Sequence, residues 1–157
     1  VGPSQNRTPA APPPSGPEYL LVDGYNVIFA WDELKKIAAE NLDAARRRLM
    51  DILCNYAGYR KCVPILVFDA YRVKGAGREQ ETWHNLHVIY PREAETADMF
   101  IERTTHELAK NHRVRVVSSD GAEQIIILGN GALRVSARAF EREVRAVEAE
   151  IREFLDQ

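Results

Sequence analysis

Apolar residues are grouped in two ways along this chain: short runs with few polar interruptions, and longer stretches in which they recur every three or four positions. The runs YLLVD (19–23), VPILVFD (63–69), LHVIY (86–90) and VRVVS (114–118) predict buried strands, and ALRV (132–135) a short fifth one. Pro64 stands at a strand entry, where a missing donor does little harm. Helical spacing predicts a helix over 41–56, with Leu42, Ala45, Leu49, Ile52, Leu53 and Tyr56 on its apolar side. A second covers 96–111, with Ala97, Phe100, Ile101, Thr104 and Leu108 inward. A third covers 137–155, with Phe140, Val144, Val147, Ile151 and Phe154 on one stripe. Residues 26–31 read as a loop or short helix, and 120–128 as a helix closed by Gly129, Asn130 and Gly131. Residues 71–82 are polar, contain Gly75 and Gly77, and read as a mobile loop.

Strands thus alternate with helices, and strands apolar along their whole length need cover on both faces. The expected class is α/β, with a mostly parallel sheet of about five strands between helices. Residues 1–17 lack any periodicity and carry four prolines between Pro9 and Pro14, so they read as a disordered linker. The folded domain is expected over 18–157. No initiator methionine is present, and Gly2, Pro3 and Ser4 resemble a cloning scar; the chain therefore reads as a piece of something longer, with 1–17 as a tether or a remnant of cloning.

Composition narrows the function. Lysine plus arginine number 21 against 23 acids, a formal charge of −2, so any nucleic-acid contact must use a local basic patch. Two cysteines, Cys54 and Cys62, make neither a disulfide scaffold nor a cysteine-rich zinc module, and read as core thiols. No apolar run approaches the roughly 20 residues of a membrane helix, and the polar, proline-rich start is not a signal peptide, so a cytoplasmic protein is expected. No G-x-x-x-x-G-K-[ST] phosphate loop occurs, no Cys/His spacing matches a structural zinc site, and no histidine is assigned a catalytic role.

An open parallel sheet places its site beyond the carboxyl ends of its strands. The first run ends in Asp23 and the second in Asp69. The third leads to Glu95 and Asp98 at a helix start, and the fourth to Asp120. Each acid alone has an ordinary role: Asp23 and Asp69 in turns, Asp98 against a helix dipole, Asp120 as an N-cap answered by Glu123. Together they are delivered to one sheet edge, where like charges repel and a cation relieves the repulsion. Hard oxygen ligands without cysteine or clustered histidine point to Mg²⁺ or Mn²⁺, and such an ion can activate water for attack on a phosphodiester. Asn26, three residues after Asp23, either caps a turn or orients a ligand carboxylate or bound water.

The four segments 23–26 (DGYN), 67–70 (VFDA), 95–98 (ETAD) and 118–120 (SSD) resemble the signature of NYN-domain proteins, and among them the YacP type of PIN-like ribonuclease. The resemblance runs from about Tyr19 to Leu155. It implies a PIN-like three-layer α/β/α sandwich and a metal-dependent endoribonuclease. By position, Asp23, Asp98 and Asp120 become the principal metal-site acids, Asp69 a supporting acid and Asn26 an organising polar group, with Glu95 beside them. It further implies that such a domain stands alone or follows a ribosomal-protection-type translation GTPase, which suits a proline-rich tether.

RNA requires a cationic track for its phosphates. Tyr71, Arg72, Lys74 and Arg78 follow Asp69 and should border the acids, with Arg92 as a further phosphate contact. Tyr71 and Trp83 could stack on unpaired bases, which favours single-stranded RNA such as mRNA, at the ribosome or free of it. Arg46, Arg47 and Arg48 read as a solvated helix face. Two other functions compete. One is an RNA- or ribosome-binding module with weak or no catalysis, disfavoured because carboxylates repel phosphate unless a metal intervenes. The other is a Mg²⁺ phosphatase or phospho-acceptor domain, disfavoured because neither Asp-x-Asp follows the first strand nor a lysine ends the last.

Overall fold

The computed structural model describes residues 16–69, 80–92, 94–118, 126–127 and 131–157. The elements run β1 (Tyr19–Asp23), α1 (Gly24–Ala30), α2 (Asp32–Glu40), α3 (Leu42–Arg60), β2 (Val63–Val67), β3 (Gln80–Trp83) and β4 (Leu86–Ile89). They continue with α4 (Ala97–Leu108), β5 (Val114–Val117), β6 (Ile126–Ile127), β7 (Leu133–Val135) and α5 (Ala137–Leu155).

One sheet holds all seven strands in the order β3-β4-β2-β1-β5-β7-β6. The five expected strands form its parallel centre, and β3 and β6 add antiparallel edges. Alternation along β1 divides the core. Leu20 and Val22 join the cluster covered by α1, α2, α3 and α5, while Leu21 joins the cluster under α4. Helices therefore cover both faces, as the expected three-layer α/β/α class requires. Trp31, fully buried between α1 and α2, ties this layer to α5 by donating from Nε1 to the Ala137 carbonyl at 2.8 Å.

Chain direction fixes where a site can lie. From β1 the chain steps outward through β2 to β4, then returns to the other side of β1 for β5 and β7. The strand order reverses at β1, and a crevice is expected beyond the carboxyl ends of β1 and β5.

Five expectations need correction. Residues 80–82, read as loop, belong to β3, which joins β4 through His84 and Asn85, with His84 left-handed at φ 55°. Ile126 and Ile127, read within a helix, form β6; β-branched side chains fit a pleated strand better than a helix. Gly131, read as part of a helix stop, lies between antiparallel β6 and β7, and its φ of 89° suits glycine. The apolar stripe of α5 ends early: Phe140, Val144 and Val147 are buried, but Phe154 is 72% exposed, within a final turn that is exposed from Arg152 onward. In α4 the buried residue is Thr105, whereas Thr104 is only half-buried. Among the described residues no helix is long and apolar enough to cross a membrane.

Candidate active site

Asp23 is the last residue of β1 and the N-cap of α1. Its Oδ1 accepts from the backbone N–H of Asn26 at 3.3 Å, and its Oδ2 accepts from Asn26 Nδ2 at 2.7 Å. The cap is thus Asp23 and not Asn26: Asn26 supplies the capped N–H, and its side-chain amide holds the carboxylate. Immediately after Asp23 the backbone passes close to the Phe68 ring; a Cβ at Gly24 would overlap that ring. The Tyr25 ring packs on Phe68 with centroids 5.0 Å apart, and its hydroxyl accepts from Arg46 Nη1 at 3.1 Å. Arg46 is thus not on a solvated face as expected: its side chain is 12% exposed and braces the turn behind Asp23. Arg47, paired with Asp43, does lie in solvent.

Asp69 follows β2 by two residues. Its Oδ1 accepts from the backbone N–H of Ala97 at 2.7 Å, at the start of α4, while Thr96 Oγ1 accepts from Met99 N–H at 3.1 Å. Two side-chain oxygens thus occupy donors that the first helical turn leaves free. With α4 held this way, Asp98 in its first turn comes to the same sheet edge.

The electrostatics report that convergence. Asp23 is 6% exposed, and burial pushes its carboxyl above the ordinary aspartate value. The two Asn26 hydrogen bonds pull it back, and the charges of Asp69 and Asp98 push it up again. Three carboxylates from separate stretches therefore share one electrostatic neighbourhood. Among the described residues, no three His, Cys, Asp or Glu side chains form a group that could hold a metal by themselves. Asp120, the remaining expected ligand, lies outside the described residues, as do Tyr71, Arg72, Lys74 and Arg78.

Beside Asp98 opens a cleft of about 350 Å³ between α4, β5 and β7. It is lined by Glu102, Thr105, Ser118 and Arg134 among others. Arg134 Nε donates to Ser118 Oγ at 2.8 Å, which brings a guanidinium to the acidic edge. The buried Thr105 hydroxyl has no hydrogen-bond partner among the described residues. Ser118 belongs to the 118–120 segment singled out in the sequence; Glu102, Thr105 and Arg134 do not belong to any such segment. The available signal was an arginine in the middle of a short apolar strand, where a charge needs a purpose.

Other expected residues fall elsewhere. Glu95 stands with Arg103, not with the acids: Arg103 Nε and Nη2 donate to its two oxygens at 3.1 and 2.9 Å. Trp83 pairs with Leu86, at the opposite end of β4 from Ile89, so it cannot stack on a base held at the acids. Arg92 is exposed on the segment after β4 and lines a second cleft, with Tyr90, Met99 and Arg103. Cys54 and Cys62 are half-buried against the core, and burial pushes the Cys62 thiol up to about 11, which suits an inert thiol.

The profile of the YacP-like NYN domain family matches residues 20–157. A Bacillus subtilis (strain 168) protein described as uncharacterized protein YacP is 43% identical over 135 residues, 85% of this chain and 79% of the relative. The crystal structure of Rae1 (YacP) from Bacillus subtilis superposes with a TM-score of 0.73 at 41% identity, covering 88% of this chain and 79% of that one. A second crystal structure, of a tryptophan-to-leucine mutant of Rae1, gives 0.70 at 39% identity, with 86% and 79% covered. Profile, sequence and fold agree over nearly all of the described chain, and the protein belongs to the YacP-like NYN domain family, a nuclease-type domain.

Proposed function

We propose that the protein is a metal-dependent endoribonuclease that hydrolyses phosphodiester bonds of single-stranded RNA. The observation that carries this reading is the state of Asp23: a buried carboxyl at the switch point of the sheet, raised by burial and by the negative charges of Asp69 and Asp98. Such a cluster is unfavourable by itself and becomes favourable around a divalent cation. The donors are hard oxygens, which fit Mg²⁺ or Mn²⁺.

In this reading Asp23, Asp98 and Asp120 hold the ion. When bound, it supplies a water of lowered pKa and stabilises charge on the phosphoryl oxygens. Asn26 keeps Asp23 in one rotamer through the 2.7 Å bond to Oδ2. Asp69 acts on α4 through Ala97 and so positions Asp98. Arg134 and Arg92 bring positive charge to the two sides of α4, where phosphates of a bound strand would pass. Tyr71, Arg72, Lys74 and Arg78, which follow Asp69 in the sequence, are the further RNA contacts of this proposal. A cytoplasmic setting, mRNA at the ribosome as substrate, and a GTPase domain preceding this one in a longer parent belong to the same proposal.

The test is cleavage of a single-stranded RNA with Mn²⁺ by wild type, Asp98→Asn and Asp120→Asn, each checked for folding by circular dichroism. The reading expects loss of cleavage by at least about a hundredfold in both folded variants, as for removal of a group acting on transition-state charge. Cleavage at the wild-type rate in both would overturn it.

A further inference from the structure

Helix α4 is a ridge with a cleft on each side. Asp98, Glu102 and Thr105 face the smaller one, beside β5 and β7. Glu95, Met99, Phe100 and Arg103 face the other, a cleft of about 550 Å³ beyond the end of β4. We propose that this second cleft is a nucleobase subsite, in which the guanidinium plane of Arg103 stacks an unpaired base of the RNA. The identity of the ligand rests on the nuclease reading above; the geometry of the subsite does not.

The Arg103 plane is held from two directions. Both Glu95 oxygens receive hydrogen bonds from it, and the Phe100 ring lies under it, with the guanidinium carbon 5.2 Å from the ring centroid. Two fixed bonds and a ring contact remove rotamer freedom before any ligand arrives, so less entropy is lost on stacking. The side chain is 64% exposed, which leaves surface of the plane open to the cleft. Guanidinium planes and aromatic rings are the surfaces on which proteins stack splayed-out bases.

The walls suit a flat heterocycle. Ile89 and Pro91 line one side, and Met99 lines the other while 52% exposed. An apolar side chain left half in water directly after Asp98 gains by being covered. Charge favours a nucleotide over an apolar peptide, because among the described residues that line the cleft two arginines, Arg92 and Arg103, stand against one acid, Glu95. Location agrees, since Met99 follows Asp98 in α4 and Phe68 N–H bonds the Ile89 carbonyl at 3.0 Å, one residue before Asp69. A strand lying over the acids can therefore place a neighbouring base in this cleft.

The test uses short single-stranded RNAs carrying one 2-aminopurine walked along the sequence, titrated with the protein in EDTA so that nothing is cut. Stacking should quench the probe at one position. Arg103→Lys keeps the charge and removes the plane, at a surface position where folding should be unaffected. It should abolish that quench and weaken binding roughly tenfold, the effect expected of losing one stacked base. Equal quench and affinity in Arg103→Lys would overturn the proposal, as would RNA that binds with no quenched position. A parallel assay with Mn²⁺ separates the two readings. Cleavage without a quenched position sinks the subsite alone, and an Arg103-dependent quench without cleavage sinks the nuclease reading alone.

Discussion

Asp69 Oδ1 accepts the backbone N–H of Ala97 at 2.7 Å, joining the end of one strand to the start of the helix that carries the next acid. The bond does two things. It places a negative charge at the positive end of the α4 dipole, and it ties the start of the helix that carries Asp98 to the end of β2. Asp69 thereby serves as a positioning residue, whatever else it touches when substrate is bound.

Replacing Asp69 separates these roles. Asp69→Ala removes the acceptor and should cost about 1 kcal/mol of stability, as for loss of an N-terminal cap. Asp69→Asn keeps an oxygen that can accept from Ala97 and should retain most of that stability. Urea denaturation of the three proteins checks the order. Cleavage should follow the same order, with Asp69→Ala lowest, because α4 is then free to shift Asp98.

Asp98 is exposed and contributes a repulsive charge to Asp23. Asp98→Asn should therefore leave stability unchanged or slightly higher while removing activity. A fall in melting temperature of more than a few degrees would show that Asp98 holds the fold, and not a ligand.

Asp23 predicts a pH dependence of definite sign. Its carboxyl in the folded protein lies above the ordinary value of 3.8, so the folded state binds that proton more tightly than the unfolded state. The stability it contributes is fully present below 3.8 and is lost as pH rises through the folded value. Asp23→Asn should flatten this part of the stability–pH curve and leave neutral-pH stability within about 1 kcal/mol of wild type, since one hydrogen bond with Asn26 is lost while a buried charge is removed. Chemical denaturation between pH 3.5 and 7 reads both effects. Mn²⁺ should raise the wild-type melting temperature at pH 7 and leave that of Asp23→Asn nearly unmoved.

Gly24 makes a purely steric prediction. A methyl group there overlaps Phe68, which is fully buried and packed on Tyr25 and Tyr90. Gly24→Ala should destabilise by roughly 1–3 kcal/mol, the usual cost of overpacking, and should lower cleavage by moving the turn that carries Asp23. Thermal melts and cleavage assays on the same preparation check it.

The parallel centre of the sheet was legible because strands buried on both faces must be apolar throughout, as in 19–23 and 63–67. Edge strands carry no such mark: on β3 Gln80, Thr82 and Trp83 are exposed and Glu81 is half-buried, so the segment resembles a loop. Helix α2 escaped notice because it buries only Leu34 fully, with Ile37 packed at its margin, too sparse a stripe to show a period. At the site, the acids ending β1 and opening α4 could be read from their positions at strand ends. The partnerships could not. Glu95 belongs to Arg103, Arg134 belongs to Ser118, and Arg46 supports Tyr25; each pair joins residues whose approach depends on the tertiary fold or on a single side-chain rotamer.

The nuclease account depends on a divalent ion held among Asp23, Asp98 and Asp120. Anomalous diffraction from crystals soaked in MnCl₂ tests that directly. The account predicts a manganese peak bonded to carboxylate oxygens of these residues, at about 2.0–2.2 Å as hard-cation sites require. Well-ordered carboxylates with no peak among them would contradict it.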